Sequence, residues 1–193
     1  MQHLLSVLNV QAGNLNLSCN VNKTVCMVFN PNKRDRIITS KFPCFTVGNS
    51  SLKFVDKFKY LGHVITSDLS DDADIHREIQ NMFVRTNVLL RRYRKCSLSV
   101  KTLLFRSFCL CFYDIALWKV FSNGTLAKLQ SCYNRCLKLF FGSQRRDSLT
   151  QLFLATGLPS VSTVLHNCNH VFNKSRSACT NSIIVHLLEF TAR

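Results

Sequence analysis

Arg85, Arg91, Arg92, Arg94, Lys95 and Lys101 crowd one short stretch of the chain. Guanidinium and ammonium groups at this density can hold phosphate oxygens. Such contacts give strong salt dependence and little sequence discrimination. A solvated helix face has the same pattern, and both readings stand. Tyr60-Leu61-Gly62 closes a short apolar run. Gly62 could let a backbone approach a nucleic-acid strand closely, or the tripeptide could be an ordinary hairpin with a core Tyr–Leu pair. Nucleotidyl transfer needs carboxylates that hold two divalent ions. The adjacent pair Asp71-Asp72 instead sits where a helix should begin, so it is expected to cap that helix and complement its dipole. His166, Cys168 and His170 lie close together but lack an evident fourth ligand. No Gly-rich phosphate loop or Ser–His–Asp pattern is present.

Ten cysteines give no C-x-x-C zinc spacing; Cys109-Leu110-Cys111 and Cys132 with Cys136 come nearest. Most lie in apolar runs, which predicts buried free thiols and a reducing compartment. Asn16, Asn22, Asn49, Asn123 and Asn173 begin sequons, and without a secretory signal these are expected to be chance.

The 193 residues suffice for one domain or two small ones. At 47% hydrophobic and 18% charged residues, the chain is expected to pack rather than stay disordered. Twenty-five Lys and Arg against ten Asp and Glu give a formal charge of +15. That surplus favours a polyanionic partner, with nucleic acid ahead of an anionic membrane surface or a merely basic exterior. No secretory signal is expected at Met1-Gln2-His3-Leu4-Leu5. No membrane span is expected either, because the most apolar window, 103–121, holds Arg106, Asp114 and Lys119. The expected location is intracellular, nuclear or cytoplasmic.

The elements that would position these residues follow from periodicity. Leu4, Leu5, Leu8 and Ala12 predict a helix over 1–12, ended by Gly13-Asn14. Leu15, Leu17 and Cys19 alternate as a half-buried strand would, and Thr24–Phe29 predicts a second strand. A basic loop over 30–36 is followed by candidates at Ile37-Ile38-Thr39 and Cys44–Val47. Gly48-Asn49-Ser50-Ser51 is a turn between strands. Ile75, Ile79, Met82, Phe83, Thr86, Leu89 and Tyr93 share one face of a helix over 73–94. Val100 to Ile115 and Trp118 predict a second helix, apolar nearly all round and therefore central in a bundle. Leu126, Leu129, Cys132, Tyr133, Cys136, Leu137 and Phe140 predict a third, closed by Gly142. A short helix near Leu149–Phe153 follows. Beyond 171 the pattern weakens. The predicted class is α+β: a small antiparallel sheet, then a helical bundle. Its expected parts are 1–66, 67–166 and a poorly defined tail over 167–193.

Three stretches carry a resemblance. Phe58-Lys59-Tyr60-Leu61-Gly62 resembles the F-K-Y-L-G motif of reverse transcriptases from non-LTR (LINE-type) retrotransposons. Leu17 to Phe29, with Asn20, Lys23, Thr24 and Met27, is similar to that family's L-x-x-N-x-x-K-T-x-x-M-x-F palm motif. Leu103-Leu104-Phe105-Arg106-Ser107-Phe108, then Tyr113 and Leu117-Trp118, resembles the helix after the primer grip in jockey-like elements. Gly157-Leu158-Pro159-Ser160 resembles the G-[IL]-P-S that follows. The matches run in family order from about residue 1 to 166.

The resemblance implies a palm remnant with a primer-grip hairpin, then a thumb-like region. By it, Tyr60, Leu61 and Gly62 are primer-grip residues, and Arg85, Arg91, Arg92, Arg94, Lys95 and Lys101 contact a template–primer duplex of RNA or DNA. Lys23 matches the palm lysine near the leaving pyrophosphate, where it can donate a proton or neutralise charge; without metals and substrate it is a turn lysine. The family uses Mg²⁺ held by aspartates that include an aromatic-Ala-Asp-Asp pair. No Asp-Asp in this sequence follows an aromatic residue and Ala. No cofactor is therefore expected in this chain, which reads as a truncated, catalytically inactive remnant with weak nucleic-acid binding. The alternatives are a basic helical module that binds a protein through an exposed sheet edge, and a fragment without function.

Overall fold

In a computed structural model, residues 1–30, 42–112 and 114–191 are described. The Ile37-Ile38-Thr39 strand candidate, nearly all of the basic loop before it and Tyr113 lie outside them. The chain divides into two compact units, Met1–Ala73 and Asp74–Arg193.

The first unit holds the strands. Its opening helix α1 (Gln2–Asn14) carries no buried residue. One turn of 3₁₀ helix, Val21–Lys23, is capped by Asn20, whose side-chain oxygen accepts from the Lys23 amide at 3.3 Å. Strands β1 (Val25–Cys26), β2 (Thr46–Val47), β3 (Ser50–Ser51), β4 (Lys53–Phe54), β5 (Lys57–Tyr60) and β6 (His63–Thr66) follow. A single antiparallel sheet was the expectation. Among the described residues there are instead three separate two-stranded ladders: β2 with β3 and β5 with β6 antiparallel, β1 with β4 parallel.

The predicted turn over Gly48-Asn49-Ser50-Ser51 forms only at Gly48-Asn49, with Gly48 at φ 59°; Ser50 and Ser51 pair back onto β2 as β3. The Leu15–Cys19 alternation makes no strand, and Leu15 and Leu17 are exposed. Alternation alone gives no partner, and an unpaired strand leaves its amides unsatisfied. The Gln2 side chain of α1 satisfies both backbone groups of Thr46 on β2: its amide donates to the Thr46 carbonyl and accepts from the Thr46 amide, both at 2.9 Å.

The second unit holds the core. Helices α2 (Asp72–Tyr93, whose first two residues belong to the first unit), α3 (Leu98–Cys109), α4 (Asn123–Phe141), α5 (Leu149–Thr156), α6 (Val161–Ser177) and α7 (Ser182–Thr191) follow in order. Ile75, Met82 and Leu89 line one stripe of α2. Leu129, Cys132, Tyr133, Cys136, Leu137 and Phe140 do the same on α4, which ends at Gly142 with φ 78°. Phe105 anchors α3, its ring 5.8 Å from Tyr133 and 6.1 Å from Phe140. The Tyr133 hydroxyl donates to the Pro159 carbonyl at 2.6 Å, fastening the start of α6 to α4.

α3 is shorter than its periodicity predicts. It stops at Cys109, and Phe112, Ile115 and Trp118 are buried from an irregular segment instead. Nor is α3 apolar-buried all round, because Val100, Leu103 and Phe108 face solvent. A straight helix presents one stripe to the core; breaking after Cys109 lets a second set of large side chains turn inward. α6 and α7 occupy the tail where the pattern was weak. Ser160 caps α6 by accepting from the Thr163 amide at 3.1 Å.

Phe105 is 0% exposed and touches three rings, whereas Phe108 on the same helix is 52% exposed. Phe105→Ala should therefore cost about 3–5 kcal/mol in urea unfolding, and Phe108→Ala about 0.5 kcal/mol or less. Equal losses would contradict this packing.

Candidate nucleic-acid interface

Lys23 and Tyr60 come from separate motifs, yet they line one cleft of the first unit with Val25, Met27, Phe29, Phe58 and Ile65. The cleft measures about 360 Å³. Its walls are apolar and aromatic, with the Lys23 ammonium the one charge among the lining residues. Strand pairing makes this arrangement. Phe58 and Tyr60 alternate with Lys57 and Lys59 along β5, so rings and cations take opposite faces.

Leu61 and Gly62 form the two-residue turn between β5 and β6. Both have positive φ, 48° and 95°, as a type I′ turn requires. A core Tyr–Leu pair is ruled out: Tyr60 is 57% and Leu61 87% exposed. An exposed leucine held at positive φ carries backbone strain with no packing return.

The cations of the second unit separate into two groups. Arg85 is not free: its guanidinium donates to Glu78 at 2.7 Å. Glu78 is buried, and Arg77 and Asn81 donate to its other oxygen at 3.2 and 3.3 Å. Arg77 also pairs with Asp74 at 2.7 and 3.2 Å and with Asp114 at 3.0 Å. Asp74 is 0% exposed and accepts from the Trp118 indole at 2.9 Å. Hydrogen bonding to Asp74, aided by the charges of Asp74, Glu78 and Asp114, raises the Arg77 pKa against the opposing effect of burial.

Arg77 and Arg85 lie off the apolar face that periodicity marks on α2. The periodicity missed the carboxylates they serve, although Asp74 and Glu78 at i, i+4 share a face with Arg77 between them.

Arg91 and Arg92 close the last turn of α2, and Arg94 and Lys95 follow it. All four are exposed, and no carboxylate among the described residues pairs with them. They complement the negative end of the α2 dipole and leave their outer donors to solvent. Lys101 stands apart: it is half-buried, with its ammonium 5.8 Å from the centre of the Phe140 ring.

Asp72 opens α2, and the side-chain oxygen that accepts from its amide is that of Ser70 rather than of the expected Asp71-Asp72 pair. The Asp72 amide donates to the Ser70 hydroxyl at 3.4 Å, and Asp71 lies 4.0 Å from the His63 imidazole. All ten cysteines are free thiols. Cys109, Cys132 and Cys136 are buried, Cys44 is exposed and the other six are half-buried. Burial pushes the Cys109 thiol up to about 11. Cys132 and Cys136 share a hydrogen bond that raises the first and lowers the second. Of the His166, Cys168 and His170 group on α6, Cys168 packs toward the core while both histidines are exposed. No helix among the described residues is long and apolar enough to cross a membrane.

Comparison with family models, curated proteins and solved structures returns no match.

Two outcomes follow. Arg85→Ala strips a buried carboxylate of its shortest partner and should lower stability by about 1–3 kcal/mol, while Arg92→Ala should change it by about 0.5 kcal/mol or less. Chemical denaturation separates them. Leu61→Asn relieves the left-handed strain and should raise stability by about 0.5–1 kcal/mol in a thermal melt; a fall would mean that the turn needs the leucine.

Proposed function

We propose that this stretch of chain derives from the palm-to-thumb portion of an RNA-directed DNA polymerase of the non-LTR retrotransposon class. By itself it holds the phosphate backbone of nucleic acid weakly and without sequence preference. The observation that carries the binding is the exposed set Arg91, Arg92, Arg94 and Lys95, which has no carboxylate partner among the described residues. Four such charges in five positions repel one another, and a polyanion relieves that repulsion. The ordered motifs support the origin. The aromatic cleft with Lys23 and Tyr60 supports a second contact, because exposed rings beside a cation suit stacked, unpaired bases. Arg85 has no part in the binding, since its charge is spent on Glu78.

Fluorescence anisotropy with a labelled duplex tests this. Affinity should fall steeply between about 50 and 200 mM salt. Replacing Arg91, Arg92, Arg94 and Lys95 together with Gln should reduce the slope of log K against log salt by about 3–4, at ~0.9 per phosphate contact. An unchanged slope would refute the interface. Incorporation of dNTPs with Mg²⁺ should stay at background, because the sequence offers no aromatic-Ala-Asp-Asp to seat the ions.

One observation favours a second reading, association with a protein. Leu4, Val7, Leu8 and Val10 of α1 are all exposed. Binding to a protein that resists salt, with no binding to nucleic acid, would select it.

A further inference from the structure

The second half of α4 takes no part in the proposed interface, yet it carries a further group of donors in the second unit. Between it and the turn that leads to α5 lies a cleft of about 540 Å³. Three cations line it, Arg135, Lys138 and Arg145, and Ser131, Asn134 and Ser143 add neutral donors. Leu139 and Leu149 form its apolar wall. No carboxylate lines it. The nearest acid in sequence, Asp147, is committed to the turn, where it accepts from the Gln144 amide at 2.6 Å.

Two of the three cations are held in place. The Lys138 ammonium donates to the carbonyls of Arg145 and Asp147, both at 2.7 Å. Those bonds tie the turn to the helix, keep the charge in the cleft wall and fix the backbone that carries Arg145. The Arg135 guanidinium lies 5.8 Å from the centre of the Phe83 ring. A ligand met by groups already in position loses less freedom on binding.

The chemistry narrows the ligand. Guanidinium groups pair bidentately with phosphate oxygens. A phosphomonoester offers three terminal oxygens and a charge near −2, which matches three cations better than a diester does. The negative end of the α4 dipole opposes an anion here, but it amounts to about half a charge against three full ones. The volume falls within the range of small-molecule sites, and the leucine wall suits the flat face of a base.

We propose that this cleft binds a phosphomonoester, either the 5′-terminal phosphate of a nucleic-acid strand or the phosphate of a free nucleotide. It shares no residue with the α2 interface, so either site can fail without the other.

The test uses the full chain. AMP is titrated calorimetrically, and labelled single strands with a 5′-phosphate or a 5′-hydroxyl are compared by anisotropy. Arg145→Ala keeps the backbone carbonyl that accepts from Lys138, and Arg135→Gln keeps a polar side chain. Each should weaken binding of the phosphate by about tenfold or more, as loss of a charge-assisted hydrogen bond does. Arg146→Ala removes the same charge one residue away, outside the cleft lining, and should change binding by less than about twofold. AMP binding without any advantage for the 5′-phosphorylated strand assigns the cleft to free nucleotides, and the reverse result assigns it to strand ends. Absence of both, or equal loss in Arg146→Ala and Arg145→Ala, overturns the proposal.

Discussion

Asp74 sits at the start of the second unit with no exposure to solvent, and a carboxylate there must be answered by donors or the fold fails. Arg77 supplies two hydrogen bonds and the Trp118 indole a third. Because Trp118 belongs to the irregular segment after α3, the same carboxylate decides where that segment lies. Asp114, from the same segment, reaches Arg77 as well. Phe112, Ile115 and Trp118 can then fill the core without a helix to present them. The second unit is thus held by an ionic knot at one end of α2 and by the Phe105 ring cluster further along the bundle.

That knot also sets what the surface can do. Arg77 and Arg85 look like surface cations in the sequence, but buried acids consume both. Past Leu89 the helix has no such acids, and the arginines that follow keep their charge for solvent or for a ligand. One helix is structural in its first half and electrostatic at its end. The division comes from where its carboxylates stand, since the cations run along its whole length.

Apolar periodicity made α2 and α4 legible to within a residue or two, because buried faces of three to five turns leave a long signal. Gly48 marked its turn for the same reason that Gly142 ended α4: both need positive φ. The turn at Leu61-Gly62 was harder to see, since leucine is not a residue that turn chemistry selects. α3 was drawn too long because Phe112, Ile115 and Trp118 continue a helical spacing while being placed by tertiary bonds. Asp74 and Glu78 were missed as core residues, since a carboxylate in isolation reads as surface and only its partners reveal burial. For the candidate interface, exposure of Arg91, Arg92, Arg94 and Lys95 matched expectation, whereas the ion pair that removes Arg85 depends on Glu78, seven residues back on the same face. Lys23 and Tyr60 were chosen separately, and only the fold shows that they share a cleft.

Charge bears on stability in this molecule. A formal +15 on 193 residues works against compaction, and the first unit has little to offset it: Val47, Leu52 and Val64 are its buried apolar residues among those described. The second unit has a large apolar core, so it can carry Arg91, Arg92, Arg94 and Lys95, which have no carboxylate partner among the described residues, at a helix end without unfolding. Any polyanion that settles on those groups removes a repulsion that folding had to overcome, and so stabilises the folded chain in proportion to how well it binds. A cluster of this kind presents charge density and little shape, so what it offers any ligand is Coulombic attraction that salt can screen.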